Sequence, residues 1–214
     1  MKIINARYEI LTPISEGGIT ELKHIEKIGR TCYQSEDRIT EDGESAEKFV
    51  KMLINRGHEA MIEHAPSLSI KFIVDRGISH EIVRHRIASF AQESTRYCNY
   101  SKGKFGSEIT FIKPYFFNED ITKYENWVNA CKVAEIDYFN LLNKGATAQE
   151  ARSVLPNSTK TEIVMTANYR EWRNFFKLRV DKAAHPQMRE ITIPLLKELK
   201  RLLPIIFDDI EVEE

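Results

Sequence analysis

Cysteine is scarce in this chain of 214 residues: Cys32, Cys98 and Cys131 are too few and too widely spaced for a disulfide framework. Nothing in their sequence context marks any of them as an activated thiolate. A charge excess is missing too. The net charge of −1 argues against a protein built to coat nucleic acid, so an anionic ligand has to be held by a local cluster of arginines. No apolar run approaches a membrane span, and the opening residues show no secretory signal core, so the cytosol is the expected compartment. The sequons at Asn99 and Asn157 are therefore read as chance. There is no Gly-x-Gly-x-x-Gly after a strand, which excludes a Rossmann dinucleotide site. His58 and His64 are six residues apart, not the four that place two zinc ligands on one helix face, and Pro66 follows at once.

What is present is an ordinary globular composition, 42% hydrophobic and 29% charged, long enough for a sizeable core and read as a single domain over residues 1–214. Lys2–Leu11 has strand character. Thr20 is placed to cap a helix reaching Thr31, and Ser45 to open a second helix ended by Gly57. Ser67–Val74 alternates as a half-buried strand, and Ser79 is positioned to cap the short helix after it. Ile109–Phe117 is expected to be extended, although Pro114 weakens it as a central strand. A long helix over Glu119–Asn143 carries an apolar stripe through Trp127, Cys131 and Tyr138, which is read as core packing. Thr147 with Glu150, and Asn168 with Glu171, form capping-box patterns; the second helix runs to Arg179. A last helix, Pro186–Leu203, contains Pro194, where a kink is expected, and the acidic tail Asp208–Glu214 is expected to fray. The fold class is α+β, with a mixed or antiparallel sheet flanked by several helices.

The chemistry concentrates at Arg84–Tyr97. Arg84, His85 and Arg86 stand side by side at the end of the short helix. Ser94, Thr95 and Arg96 then offer hydroxyls, backbone amides and a guanidinium fork, the groups that hold a phosphate. The spacing is more particular than the composition. Arg-His-Arg, seven residues, then Ser resembles the signature of the flavin-dependent thymidylate synthases. Further matches are the Gly57-His58-Glu59…Glu63-His64 segment, Ala151-Arg152 ahead of Val154-Leu155-Pro156, and Asn168, Arg170, Asn174 and Leu178-Arg179 at the family's intervals.

That resemblance implies methylation of dUMP to dTMP, with methylenetetrahydrofolate as carbon donor, FAD as redox cofactor and NADPH as reductant. It further implies a family-specific, non-Rossmann flavin-binding fold and a homotetramer whose sites are shared between subunits. By resemblance Arg179 activates the pyrimidine. Arg84, Ser94, Arg96 and Arg152 fall at nucleotide positions, with Glu81, Gln92, Glu93 and Thr95 beside them. His85, Arg86, Asn168, Arg170 and Asn174 fall at flavin positions together with Arg84 and Gln92, and His58 and Ala60 lie nearby. Many relatives carry Asn at Ala91, an acid at Gln92 and a hydroxyl residue at Ala60, so contacts through those side chains differ here. The absence of an activated cysteine agrees with a route that uses no protein thiol, in which positive charge must meet the charge developing on the ring. Two other classes compete. One is a single-strand-binding module stacking bases on Phe90 and Tyr97. The other is a nucleotide-phosphate hydrolase built on His85, for which no P-loop or metal-ligand set is visible.

Overall fold

A computed structural model describes residues 1–103 and 106–212. In chain order the elements are β1 (Lys2–Ile4), β2 (Arg7–Ile10), α1 (Ile19–Thr31), α2 (Glu44–Asn55), β3 (Leu68–Asp75), α3 (Arg76–Ile82) and β4 (Ser89–Gln92). There follow β5 (Thr110–Ile112), α4 (Ile121–Asn143), α5 (Ala148–Ala151), β6 (Lys160–Ala167), α6 (Tyr169–Arg179), α7 (Pro186–Leu202) and α8 (Pro204–Phe207). The fold is α+β. One sheet has the order β2-β3-β6-β4; the other pairs β1 with β5 in parallel, Ile3 opposite Phe111. Lys2–Leu11 is therefore two strands in two sheets.

The chain forms two compact units. The first comprises Met1–Tyr8, Lys71–Arg84 and Phe90–Val164; the second comprises Glu9–Ile70, His85–Ser89 and Met165–Glu214.

In the first unit the core gathers Tyr100, Ile109, Phe111, Cys131, Tyr138 and Ala151. The α4 stripe is core as expected, Cys131 and Tyr138 being buried and Trp127 partly so, with its indole donating to Ser158 at 2.9 Å. Helix α4 begins at Ile121, two residues later than expected, with Asp120 capping it by accepting from Lys123 N. Extended backbone is confined to β5, because Pro114 caps a 3₁₀ turn over Tyr115–Phe117. The expected capping box at Thr147 and Glu150 is formed. Helix α3 starts four residues earlier than a Ser79 cap would place it. Asp75 takes the cap, its Oδ1 accepting from Ile78 N at 2.7 Å, and Ser79 is buried inside the helix.

In the second unit α6 buries Trp172, Phe175 and Phe176 completely, and Trp172 Nε1 donates to Leu68 O at 2.9 Å. This stripe is spaced as one helical face, and burying each such ring contributes roughly 1.5–3 kcal/mol. Helix α1 begins after Gly18, which has φ 72°; a Cβ there would stand 2.3 Å from Leu203 Cδ2, so glycine is required twice over. Gly43, at φ 93°, precedes α2, and Ser45 points its hydroxyl at the buried Glu26 (2.8 Å) instead of capping. The acidic tail is ordered further than expected. Ile210 is buried and Asp209 is engaged by Arg173, while Glu213 and Glu214 lie outside the described residues.

Candidate functional site

In the first unit, β4 ends in Gln92, whose amide donates to Ser79 Oγ (2.9 Å) and Thr161 Oγ1 (3.2 Å). Glu93 is committed to Lys160 at 2.9 Å and to the Tyr100 hydroxyl at 3.3 Å. Lys160 also meets Glu162, and hydrogen bonds from Lys160 and Lys71 hold the Glu162 carboxyl down to about 2. These paired charges line a cavity of about 480 Å³. Beyond Glu93 the chain turns: Ser94 O accepts from Tyr97 N (3.2 Å) and Cys98 N (2.9 Å), and Ser94 Oγ accepts from Arg96 N (3.3 Å).

That turn buries Thr95, whose hydroxyl accepts from Arg152 Nη1 at 3.2 Å. The two residues line a cavity of about 210 Å³ with Arg76, Ser153, Pro156 and Asn157. Two guanidinium groups, two hydroxyls and an amide face it, and among the described residues no carboxylate lines it. Such a donor set suits a phosphate. Arg76 was not legible as a site residue. As the first residue of α3 beside the Asp75 cap it reads as a surface cation, and Arg152 lies far from it in sequence. Arg84 and Arg96 are exposed, with Arg96 over the Tyr97 ring at 5.6 Å, and Glu81 is half-buried.

The second unit carries the rest. On α6, Arg170, Asn174 and Lys177 recur at i, i+4 and i+7 and so share the face opposite the aromatic stripe. With Asn168, Glu171, Glu59, Glu63 and Ile87 they line a cavity of about 430 Å³. Asn168 caps α6 as expected, accepting from Glu171 N at 2.9 Å. The Glu171 carboxylate, expected to close the capping box, is turned to His85 Nδ1 at 3.0 Å, with Asn174 Nδ2 at 3.4 Å.

His85 does not fan outward with its neighbours. Arg86 is exposed, but His85 is 4% exposed and lies edge-on to Phe175 with ring centroids 4.8 Å apart. Its Nε2 accepts from Arg179 Nε at 3.0 Å. Burial pushes its pKa down; Glu171 opposes this and the Arg179 charge adds to it, so the ring is held neutral. Arg179 is thus tied to the imidazole through Nε, and its carbonyl accepts from the Thr192 hydroxyl at 2.9 Å. His58 and Ala60 are exposed and, like Arg86, are not among the cavity-lining residues.

A second arginine of α6 escaped sequence reading. Arg173 is 1% exposed and binds Glu59 (3.0 Å) and both oxygens of Asp209 (2.6 and 2.7 Å), as well as the Ile206 carbonyl. Lys177 reaches Glu59 at 3.3 Å, and Arg170 pairs with Glu63. Burial works against ionised Glu59, but Arg173 and Lys177 leave its pKa below the ordinary value.

This fold has known counterparts. The UMP/dUMP methylase PolB from Streptomyces cacaoi, solved with bound 5-Br dUMP, matches 97% of this chain and 96% of its own with a TM-score of 0.77. The two share 21% identity, so that likeness speaks for the fold.

Sequence comparison goes further. The family model described as thymidylate synthase complementing protein matches residues 19–205. A flavin-dependent thymidylate synthase of Corynebacterium aurimucosum is 33% identical, over 93% of this chain and 84% of that protein. Another, of Pyrococcus furiosus, is 33% identical over 83% of this chain and 72% of that one. The chain belongs to the flavin-dependent thymidylate synthase family.

Proposed function

We propose that this protein methylates dUMP to dTMP, taking the carbon from methylenetetrahydrofolate and the reducing equivalents from NADPH through bound FAD. The observation that carries this reading is that Arg152 lines one cavity, and Asn168, Arg170 and Asn174 another, each of matching chemistry. Arg152 and Thr95 face a cavity with two guanidinium groups and, among the described residues, no lining carboxylate, which fits a nucleotide phosphate. Asn168, Arg170 and Asn174 face a larger one lined by both amides and ions.

The second cavity fits part of a flavin. Its volume of about 430 Å³ falls within the roughly 300–1,000 Å³ of small-molecule sites, but FAD is a long dinucleotide and extends past it. Asn168 and Asn174 supply amides for the ring edge, and Arg170 supplies a cation for the pyrophosphate. Arg170 is half-exposed, so its pairing with Glu63 exchanges for a ligand at little cost. FAD would supply the redox step. A homotetramer with shared sites would cover the remainder of the cofactor, and the cytoplasm is the compartment expected.

The chain's own groups then divide the work. Arg152, Arg84 and Arg96 bind the phosphate, with Ser94 and Thr95 fixing its direction. Arg179 brings positive charge to the pyrimidine where negative charge develops. This route uses no protein thiol, and burial pushes the Cys131 thiol up to about 11, away from the thiolate an attack would need.

Tyr97, 80% exposed, keeps one stacking platform for the single-strand-binding reading, but Phe90 is half-buried. The deciding experiment is purification followed by an absorption spectrum and a dTMP assay. A bound flavin, and dTMP formed only when dUMP, methylenetetrahydrofolate and NADPH are all present, are expected. A colourless protein that binds single-stranded nucleic acid and forms no dTMP would overturn the reading.

A further inference from the structure

We propose that Glu171 is a positioning residue: through His85 it fixes which imidazole nitrogen carries the proton, and so aims the guanidinium of Arg179. The purpose assigned to the device rests on the proposed function, in which Arg179 meets the pyrimidine.

The geometry leaves one protonation pattern that satisfies every group. Arg179 Nε always carries a hydrogen, and it lies 3.0 Å from His85 Nε2, so that nitrogen must present its lone pair. The ring proton then belongs on Nδ1, which donates to Glu171 Oε1 at 3.0 Å. A carboxylate can only accept, so Glu171 selects this tautomer. The other tautomer would set an N–H against the Arg179 N–H and a lone pair against the carboxylate. Both mismatches would be buried, since His85 is 4% and Glu171 6% exposed.

The ring cannot relieve them by turning, because Phe175 packs against it. The carboxylate is itself steadied by Asn174 Nδ2, and the Glu171 backbone N–H is fixed by the Asn168 cap at the start of α6. Glu171 and Arg179 stand two turns apart on the same helix, so α6 spaces both ends of the chain Glu171–His85–Arg179. They are the charged groups on α6 that face the imidazole; Arg84 and Arg86, its sequence neighbours, are exposed. Protonating His85 would remove the acceptor for Arg179 Nε and bring two cations together, and burial with the Arg179 charge holds the ring neutral.

Nitrogen-15 NMR of histidine-labelled, ligand-free protein reads the tautomer without any substrate. His85 is expected to be neutral and protonated on Nδ1 at pH values where an ordinary histidine (6.5) is half charged. Glu171→Gln keeps the side-chain size but loses the obligate acceptor. Mixed tautomers, a turnover lowered by about tenfold and retained thermal stability are expected. The acid limb of the rate profile should move to lower pH, because the carboxylate raises the ring's pKa and is now gone. An Nε2-protonated ring in the wild type, or a Glu171→Gln enzyme with unchanged tautomer and unchanged turnover, would overturn the proposal. A wild-type protein that forms no dTMP yet shows the Nδ1–H ring would instead overturn the function and leave the tautomer assignment standing.

Discussion

The two cavities differ in how their charges are answered. In the second unit every cation that faces the α6 cavity already has an anion: Arg170 has Glu63 and Lys177 has Glu59, while Arg173, beneath the same face, holds Glu59 and Asp209. In the first unit Arg76 and Arg152 face a small cavity lined by hydroxyls and an amide and, among the described residues, by no carboxylate. Internal pairing makes a rigid wall that can hold a mostly neutral ring. Unanswered charge makes a receptor that is complete only with an anion in it. Of the residues assigned to flavin, Asn168, Arg170 and Asn174 line the first of these cavities; of those assigned to nucleotide, Thr95 and Arg152 line the second.

The sharpest way to break this contrast is to delete one arginine from each cavity region and compare stability. Arg173→Ala leaves two carboxylates without their buried partner and should cost about 3 kcal/mol or more in denaturant unfolding. Arg152→Ala removes an exposed side chain and its one neutral-acceptor bond, to Thr95, so the change should stay within about 1.5 kcal/mol. The reverse order would refute the division. Acid should act in the same direction as Arg173→Ala. Asp209 and Glu59 have pKa values held below their ordinary 3.8 and 4.5, so their contribution is present above those values and is lost as pH falls through the lowered ones. Arg173→Ala should flatten that acid-side decline.

A smaller effect sharpens the role of the α6 terminus. Arg179→Lys keeps the charge but loses the planar fork whose Nε holds His85 Nε2. Turnover should fall by at least about tenfold with flavin content unchanged. Loss of flavin along with activity would make Arg179 part of the cofactor site, and unchanged turnover would remove it from the mechanism.

Smallest of all is the effect expected at the thiols. Changing Cys32, Cys98 and Cys131 to Ser together should preserve dTMP formation, apart from a stability loss at buried Cys131. A folded but inactive triple variant, rescued by restoring one cysteine, would reinstate a covalent route.

Much of this was legible in the sequence, and what was not has a common cause. The α6 helix could be read whole, because its cap, aromatic stripe and motif residues all lie within twelve positions of one another and obey one helical period. The same period could not show that Arg173, between two motif residues, is buried against Glu59 and Asp209, which are 114 and 36 residues away. Ser79 and Ser45 looked like caps because the nearest hydroxyl is the obvious one. Asp75 won at α3 because its carboxylate meets Ile78 N, and at α2 Ser45 was drawn to buried Glu26. His85 looked exposed between two arginines, and a contact with Glu171 from 86 residues away turned it inward. Local signals placed the elements and the motif; partners far along the chain decided which charges were answered.

The central claim, that nucleotide and flavin belong to cavities of opposite charge character, is tested most directly by one paired binding measurement. Flavin absorption and dUMP affinity are read for Arg152→Ala and Asn174→Ala beside the wild type. The account expects Arg152→Ala to keep its flavin while dUMP binding weakens by at least about tenfold, the loss of one charge-assisted hydrogen bond. Asn174→Ala should release flavin far more readily than Arg152→Ala does. Flavin lost from Arg152→Ala, or dUMP affinity unchanged in it, would contradict the account.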